Sequence, residues 1–208
     1  MRLVLASASP RRAELLRAAG FEFETRTVDL DERVQPGEAP EDYVRRLAME
    51  KSARAMEILT GLKTCATTEA GVAQDFSPAS GWTVVLAADT AVVVDGTILG
   101  KPTDDQDVAS MVRRLSGRLH QVMTGVSLRG PNCESSRVET TTVEFVPLTD
   151  ADIRWYVESG EGRDKAGAYA IQGLASRFIP RIHGSYSNVV GLPIAAVHEL
   201  LAEIASRP

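Results

Sequence analysis

Apolar and polar positions follow one another along the chain in short blocks with two different periods. Arg2 to Ala6 is a brief apolar run, the length of a buried strand, and it stops at Ser7. Ser9 then stands where an N-cap would, Pro10 at the first helical position, and Leu15, Leu16 and Ala19 on one face. With Gly20 just past the end, this predicts a short helix. A strand is predicted over Phe21 to Thr27, followed by an acidic loop from Asp29 to Glu38. From Pro40 to Leu59 the apolar residues Val44, Leu47, Ala48, Ala55, Ile58 and Leu59 recur at helical spacing, and Lys51 falls on the same stripe.

Residues 60–81 carry no periodicity and are rich in Thr, Gly, Ser and Pro, the composition of a surface insertion or mobile loop. Thr83 to Val94 reads as a Val-rich strand, with Asp95-Gly96 as a hairpin turn into Thr97 to Leu99. Thr103 with Gln106 reads as a capping box for a helix faced by Val108, Met111, Val112 and Leu115. Strands are predicted over His120 to Leu128 and Arg137 to Val146, with a turn around Pro131 and Asn132. Thr149 with Asp152 caps a helix that carries Ile153, Tyr156 and Val157. Past a glycine cluster, Pro193 opens a terminal helix with Ile194, Val197, Leu201 and Ile204 inward. Strands and helices alternate with no internal repeat, which predicts a single α/β or mixed-sheet α+β domain over residues 1–208.

Composition narrows the class. Apolar residues at 44% and charged residues at 25% exclude a disordered, collagenous or coiled-coil chain. The longest apolar stretch, Trp82 to Val94, is interrupted by Asp89 and too short to span a membrane, and Leu3 to Ala6 is too little for a signal peptide. A cytoplasmic protein with no membrane partner is expected. Cys65 and Cys133 lack any metal-binding spacing and read as free thiols. His120, His183 and His198 are scattered and read as structural or surface residues. A net charge of −5 argues against a nucleic-acid partner, so a polyanion would have to be held in a local pocket.

Such a pocket has candidates. A strand that delivers Ser7 and Ser9 to a helix N-terminus offers backbone N–H groups and the positive end of the dipole to an anion. Arg11 and Arg12 in the first turn either serve that anion or are solvated beside Glu14. Lys51 on an apolar stripe either meets a carboxylate or ligand, or snorkels to the surface. Asp89, between Ala88 and Thr90, is either a hydrogen-bonded, paired or metal-bound carboxylate or a turn cap at a strand end. Glu32, with Asp29 and Asp31 beside it, either completes a hard-cation site or is solvated. Read together, these residues form a phosphotransfer or phosphohydrolase inventory, without a P-loop or a dinucleotide fingerprint.

Four runs carry a resemblance across nearly the whole chain. They are Leu5-Ala-Ser-Ala-Ser-Pro-Arg-Arg-Ala-Glu-Leu-Leu16; Ala87-Ala-Asp-Thr90 with Gly100-Lys-Pro102; Asp164-Lys-Ala-Gly-Ala-Tyr-Ala-Ile-Gln-Gly173; and Gly184-Ser-Tyr-Ser-Asn-Val-Val-Gly-Leu-Pro193. In this order they resemble the Maf family of nucleoside triphosphate pyrophosphatases, residues 60–81 appearing as an insertion relative to compact members. The resemblance implies an elongated fold of the Maf and ITPase-like type, a central mixed sheet with two lobes around a cleft, in a homodimer. It also implies hydrolysis between the α and β phosphates, with Mg²⁺ or Mn²⁺, in a house-cleaning role.

The stretch ending at Gln172, with Arg12 and Lys101, is similar to the branch that acts on dTTP, UTP and modified pyrimidine nucleotides. The other branch prefers 7-methyl-GTP. Carried onto this chain, the resemblance makes Asp89 the catalytic aspartate and a metal neighbour, with Glu32, Lys51 and Gln172 as further active-site residues and Glu32 sharing the metal. Ser7, Arg11, Arg12 and Lys101 correspond to residues that grip the phosphates. The competing reading is a non-catalytic regulator of cell division, for which loss of these charged residues would be expected; all of them are present.

Overall fold

The computed structural model describes residues 1–64 and 82–206. In chain order the elements are β1 Arg2–Ala6, α1 Pro10–Ala18, β2 Glu24–Arg26, α2 Pro40–Thr64, β3 Thr83–Val94, β4 Thr97–Leu99, α3 Asp105–Leu115, β5 Leu119–Arg129, β6 Glu134–Glu144, α4 Asp150–Glu158, β7 Arg181–His183, α5 Tyr186–Val190 and α6 Ile194–Ala205. Two 3-10 turns, Ala166–Ala168 and Leu174–Phe178, lie between α4 and β7. The strands form a seven-stranded mixed sheet in the order β2-β1-β3-β5-β6-β7, with β4 added to β3.

β3 organises the molecule. One edge pairs without interruption to β5, from Val85↔Arg129 to Val93↔Gln121. On the other edge β3 runs parallel to β1 as far as Leu5↔Leu86, and antiparallel to β4 only from Val92↔Leu99. The register leaves Ala87 to Ala91 without a strand neighbour on that side. The sheet is therefore split around Asp89, just where β1 gives way to α1.

The alternation of side chains along β3 assigns each to a core. Val85 and Ala87 pack with Val4, Ala6 and Ala55 of α2, and Ala91 and Val93 with Val44 of α2 and Met123. Val84, Leu86 and Ala88 turn the other way, onto Leu16 of α1 and Val197 and Leu200 of α6. Val92 and Val94 continue that face into a separate core with Val108, Val112, Tyr156 and Phe178. With both faces covered, the strand reads as a nearly unbroken apolar run, and each fully buried Val or Leu contributes about 1.5–3 kcal/mol.

Several boundaries differ from the sequence reading. The second strand shrinks to Glu24–Arg26, and α2 runs on to Thr64, so residues 60–64 are helical. The rest of the expected insertion, 65–81, lies outside the described residues, as does Cys65. Ser9 occupies the N-cap of α1 but makes no side-chain cap bond. The cap of α3 is Asp104, which accepts from Asp107 N at 2.8 Å, and not Thr103. The partner reaching back is Asp107, which accepts from Thr103 N at 3.0 Å, so the predicted pairing with Gln106 is displaced by one residue. The Thr149–Asp152 box forms with both bonds, and Asp95-Gly96 turns with both φ angles positive, at 50° and 72°.

Candidate active site

The loop from β1 into α1 brings Ser7 under the helix tip. Ser7 Oγ accepts from Ser9 N and from Arg12 Nη1, both at 3.2 Å. Arg12 spends its remaining nitrogens inward: Nε donates to Gly191 O at 2.8 Å and Nη2 to Thr90 Oγ1 at 3.1 Å. Burial pulls the guanidinium below its usual value, and the charges of Asp89 and Glu32 oppose that. Arg12 is thus recessed in a polar socket rather than solvated beside Glu14. The helix has no acidic residue in its first turn and only Ser9 at its cap, so its positive end is left open.

On the other face of β3, Asp89 follows Val85 and Ala87 toward α2, and Lys51 comes down from α2 to meet it. Lys51 Nζ lies 2.6 Å from Asp89 Oδ1 and 2.5 Å from Glu32 Oε1. Lys51 and Asp89 are 8% and 7% exposed, which rules out snorkelling for one and a strand-end cap for the other. Burial pushes the Asp89 carboxyl above its ordinary value, only partly offset by Lys51 and Arg12. For Glu32 burial acts in the same direction, but the Lys51 hydrogen bond and the charges of Lys51, Lys101 and Arg12 outweigh it, leaving that carboxyl low. Of the acidic loop only Glu32 reaches the cluster, since Asp31 pairs with Arg33 at 2.5 Å.

These groups open onto a cleft of about 810 Å³ at the split in the sheet. Ser7, Arg11, Arg12, Glu32, Lys51 and Asp89 line it, together with Lys101 and Gln172 from the segments after β4 and before the second 3-10 turn. The eight residues to which the family resemblance gave a role therefore share one cavity, which Asp29 and Asp31 do not line. Lys51 touches both Asp89 and Glu32, and Arg12 touches Ser7. Arg11, Lys101 and Gln172 line the same space, and the charge of Lys101 acts on Glu32.

Sequence reasoning passed over four participants. Thr90 and the Gly191 carbonyl hold Arg12. Tyr43 lines the cleft and donates to Glu32 O at 3.0 Å, its own hydroxyl pushed up to about 12 by burial and by Asp89 and Glu32. Gly125 stands opposite Asp89 in the ladder, and a Cβ there would lie 2.2 Å from Val44 O of α2. A lone glycine inside a strand pattern was the available signal for that close approach.

A mixed sheet that divides on one edge, with helices on both faces, defines the fold class of this α/β protein. The Ham1 protein of Staphylococcus aureus has the same fold, with a TM-score of 0.52 at 16% identity over 98% of this chain and 99% of that one. Within that class the sequence matches the family described as Maf-like protein over residues 2–204, and the chain belongs to the Maf family. A dTTP/UTP pyrophosphatase of Anaeromyxobacter dehalogenans is 49% identical over 204 residues, covering 96% of this chain and 92% of its own. Those of Hahella chejuensis and Shewanella oneidensis are each 47% identical, covering 97% and 98% of this chain and 92% and 98% of their own. Among the described residues no helix is long and apolar enough to cross a membrane.

Proposed function

We propose that the protein is a nucleoside triphosphate pyrophosphatase that hydrolyses dTTP and UTP to the monophosphate and pyrophosphate, in the cytoplasm and as a homodimer. The observation that carries this is the Lys51–Asp89–Glu32 cluster opening onto the same cleft as the Arg12 socket and the α1 tip. A triphosphate needs its charge offset along its length; Arg11, Arg12, Lys51 and Lys101 supply cationic groups for that, and the amides at the start of α1 supply hydrogen-bond donors. Asp89 is the general base. It accepts the proton of a water whose oxygen bonds to phosphorus as the α–β anhydride bond breaks and pyrophosphate leaves. Burial raises the carboxylate's affinity for protons, which makes it the better base, and Lys51 orients it. Gln172 offers both donor and acceptor to a pyrimidine edge, which rejects purines by leaving its own polar groups unpaired.

The donor set fits a hard divalent ion shared with substrate. Among the described residues no group of three or more His, Cys, Asp or Glu could hold an ion alone. Asp89 and Glu32 supply two carboxylates, the number with which Mg²⁺ is commonly bound when phosphate oxygens and waters complete its shell. Asp89 and Glu32 would hold Mg²⁺ or Mn²⁺, which when bound neutralises phosphate charge.

The test is pyrophosphate release from dTTP, UTP, CTP, dATP, GTP and 7-methyl-GTP with Mg²⁺ or Mn²⁺, on protein whose sedimentation should give a dimer. Release of orthophosphate, or equal rates on all six, would overturn the reading. Asp89→Asn should abolish turnover while leaving cooperative unfolding in place; near-wild-type activity in that variant would remove Asp89 from the chemistry.

A further inference from the structure

The segment that carries Gln172 runs directly into the 3-10 turn Leu174–Phe178. The N-cap of that turn is Gly173, which has no side chain to offer its first amides. Those amides are answered from elsewhere in the chain. Leu174 N donates to Glu161 Oε2 at 2.7 Å and Ala175 N to Glu161 Oε1 at 3.2 Å. Tyr156 Oη donates to the same Oε1 at 3.2 Å. A carboxylate that accepts two backbone N–H groups at the start of a helical turn acts as an N-cap supplied from a distance. Glycine at 173 is a condition of this arrangement, because a Cβ there would stand 2.2 Å from Glu161 Oε2. The Glu161 backbone is itself tied down, its carbonyl accepting from Lys165 Nζ at 2.7 Å.

Gln172 is exposed on the cleft wall, so where its amide sits is set by the backbone on either side of it. On one side Ile171 is buried in the core that also holds Ala175 and Phe178. On the other the chain must make its tight turn at Gly173 within a carboxylate's reach of α4. Without the acceptor, two amides at that corner would have to seek water, and the corner would open toward solvent.

We propose that Glu161 is a positioning residue for substrate recognition: it caps the turn that follows Gln172 and so holds the Gln172 amide where a pyrimidine base is read. The proposal rests on the reading of Gln172 as the base-recognising residue. Glu161 touches neither phosphate nor metal groups in this scheme, so its loss acts on binding and not on the chemical step.

The test is a binding cycle with the non-hydrolysable α,β-methylene analogue of dTTP and Mg²⁺, on wild type, Glu161→Ala, Glu161→Gln, Gln172→Ala and the Glu161→Ala/Gln172→Ala double variant. Loss of Glu161 should weaken binding about tenfold, the worth of a lost well-placed hydrogen bond. Glu161→Gln should recover only part of it, because its single amide oxygen accepts from one of the two turn N–H groups while its NH2 faces the other. In the Gln172→Ala background Glu161→Ala should cost nothing further, the signature of action through one residue. Additive losses, or a Glu161→Ala protein that binds like wild type, overturn the proposal. A Gln172→Ala protein that binds like wild type instead overturns the base-recognition role, and tight binding without pyrophosphate release overturns only the reaction. Should Glu161→Ala fail to fold, Glu161→Asp, whose carboxylate falls short of the turn, takes its place in the cycle.

Discussion

A buried ammonium must be compensated, and Lys51 is compensated twice, by Asp89 and by Glu32. At this scale the sequence left each charged residue with two readings, because spacing along a helix or strand says which stripe a side chain joins and not what waits across the gap. Another buried titratable group, His120, follows the same physics with the opposite outcome. Its Nε2 lies 2.8 Å from Tyr169 Oη, its ring packs edge-on against Phe145, and its Nδ1 has no partner among the described residues. Burial pushes it down to about 4. The unfolded chain, with an ordinary value of about 6.5, therefore binds the proton more readily than the folded one between those values, so stability rises with pH through that window and is lost as pH falls. Urea unfolding should show a loss of roughly 3 kcal/mol between pH 7 and pH 4 from this residue. In His120→Gln that part of the slope should vanish; an unchanged slope would show that other groups carry it.

Among the elements, helix and strand types came through from periodicity, since amphipathic stripes and buried runs are local properties of the chain. The core strand, the long helix bearing Lys51, the Asp95-Gly96 turn and the Thr149–Asp152 box all appear where the pattern put them. One miss arises where neighbouring polar residues compete, at Thr103 and Asp104, where the acidic side chain takes the cap, while the second strand and the end of α2 differ in length from the pattern. Gly125 shows what periodicity cannot register. Its missing side chain lets the Val44 turn of α2 rest on β5 directly beside Asp89, bringing the helix that carries Lys51 close to the sheet. Gly125→Ala should therefore lift α2, at a cost of about 1–3 kcal/mol typical of overpacking. Pyrophosphate release should fall further than stability does, as the Lys51–Asp89 contact lengthens. Denaturant titration alongside initial rates would decide, and an alanine variant with wild-type rates would mean that α2 is not held by this contact.

Across the whole molecule, the cleft is a consequence of topology. β3 is longer than either neighbour on its open edge, and β1 and β4 meet it at opposite ends, so a gap opens between a core that includes α1 and α6 and one that includes α3 and α4. A ligand in the gap touches both sides and stabilises the folded state by mass action. With the α,β-methylene dTTP analogue and Mg²⁺ at a hundredfold over the dissociation constant, thermal unfolding should rise by about 5–10 °C. Arg12→Ala should lose most of that shift; an undiminished shift would remove the helix tip from the binding site.

What the sequence determined alone is the set of elements, their apolar faces and the identity of the charged residues that no soluble core would tolerate without a partner. All of that is local: a period, a cap or a misplaced charge is visible within a few residues. Only the tertiary structure decided that Lys51 and Glu32 converge on Asp89, that Arg12 turns inward to Thr90 and Gly191, and that Gly125 and Glu161 hold the surrounding backbone. Those contacts join residues far apart in the chain, and they exist because an unpaired stretch of one strand leaves a buried carboxylate beside an open space.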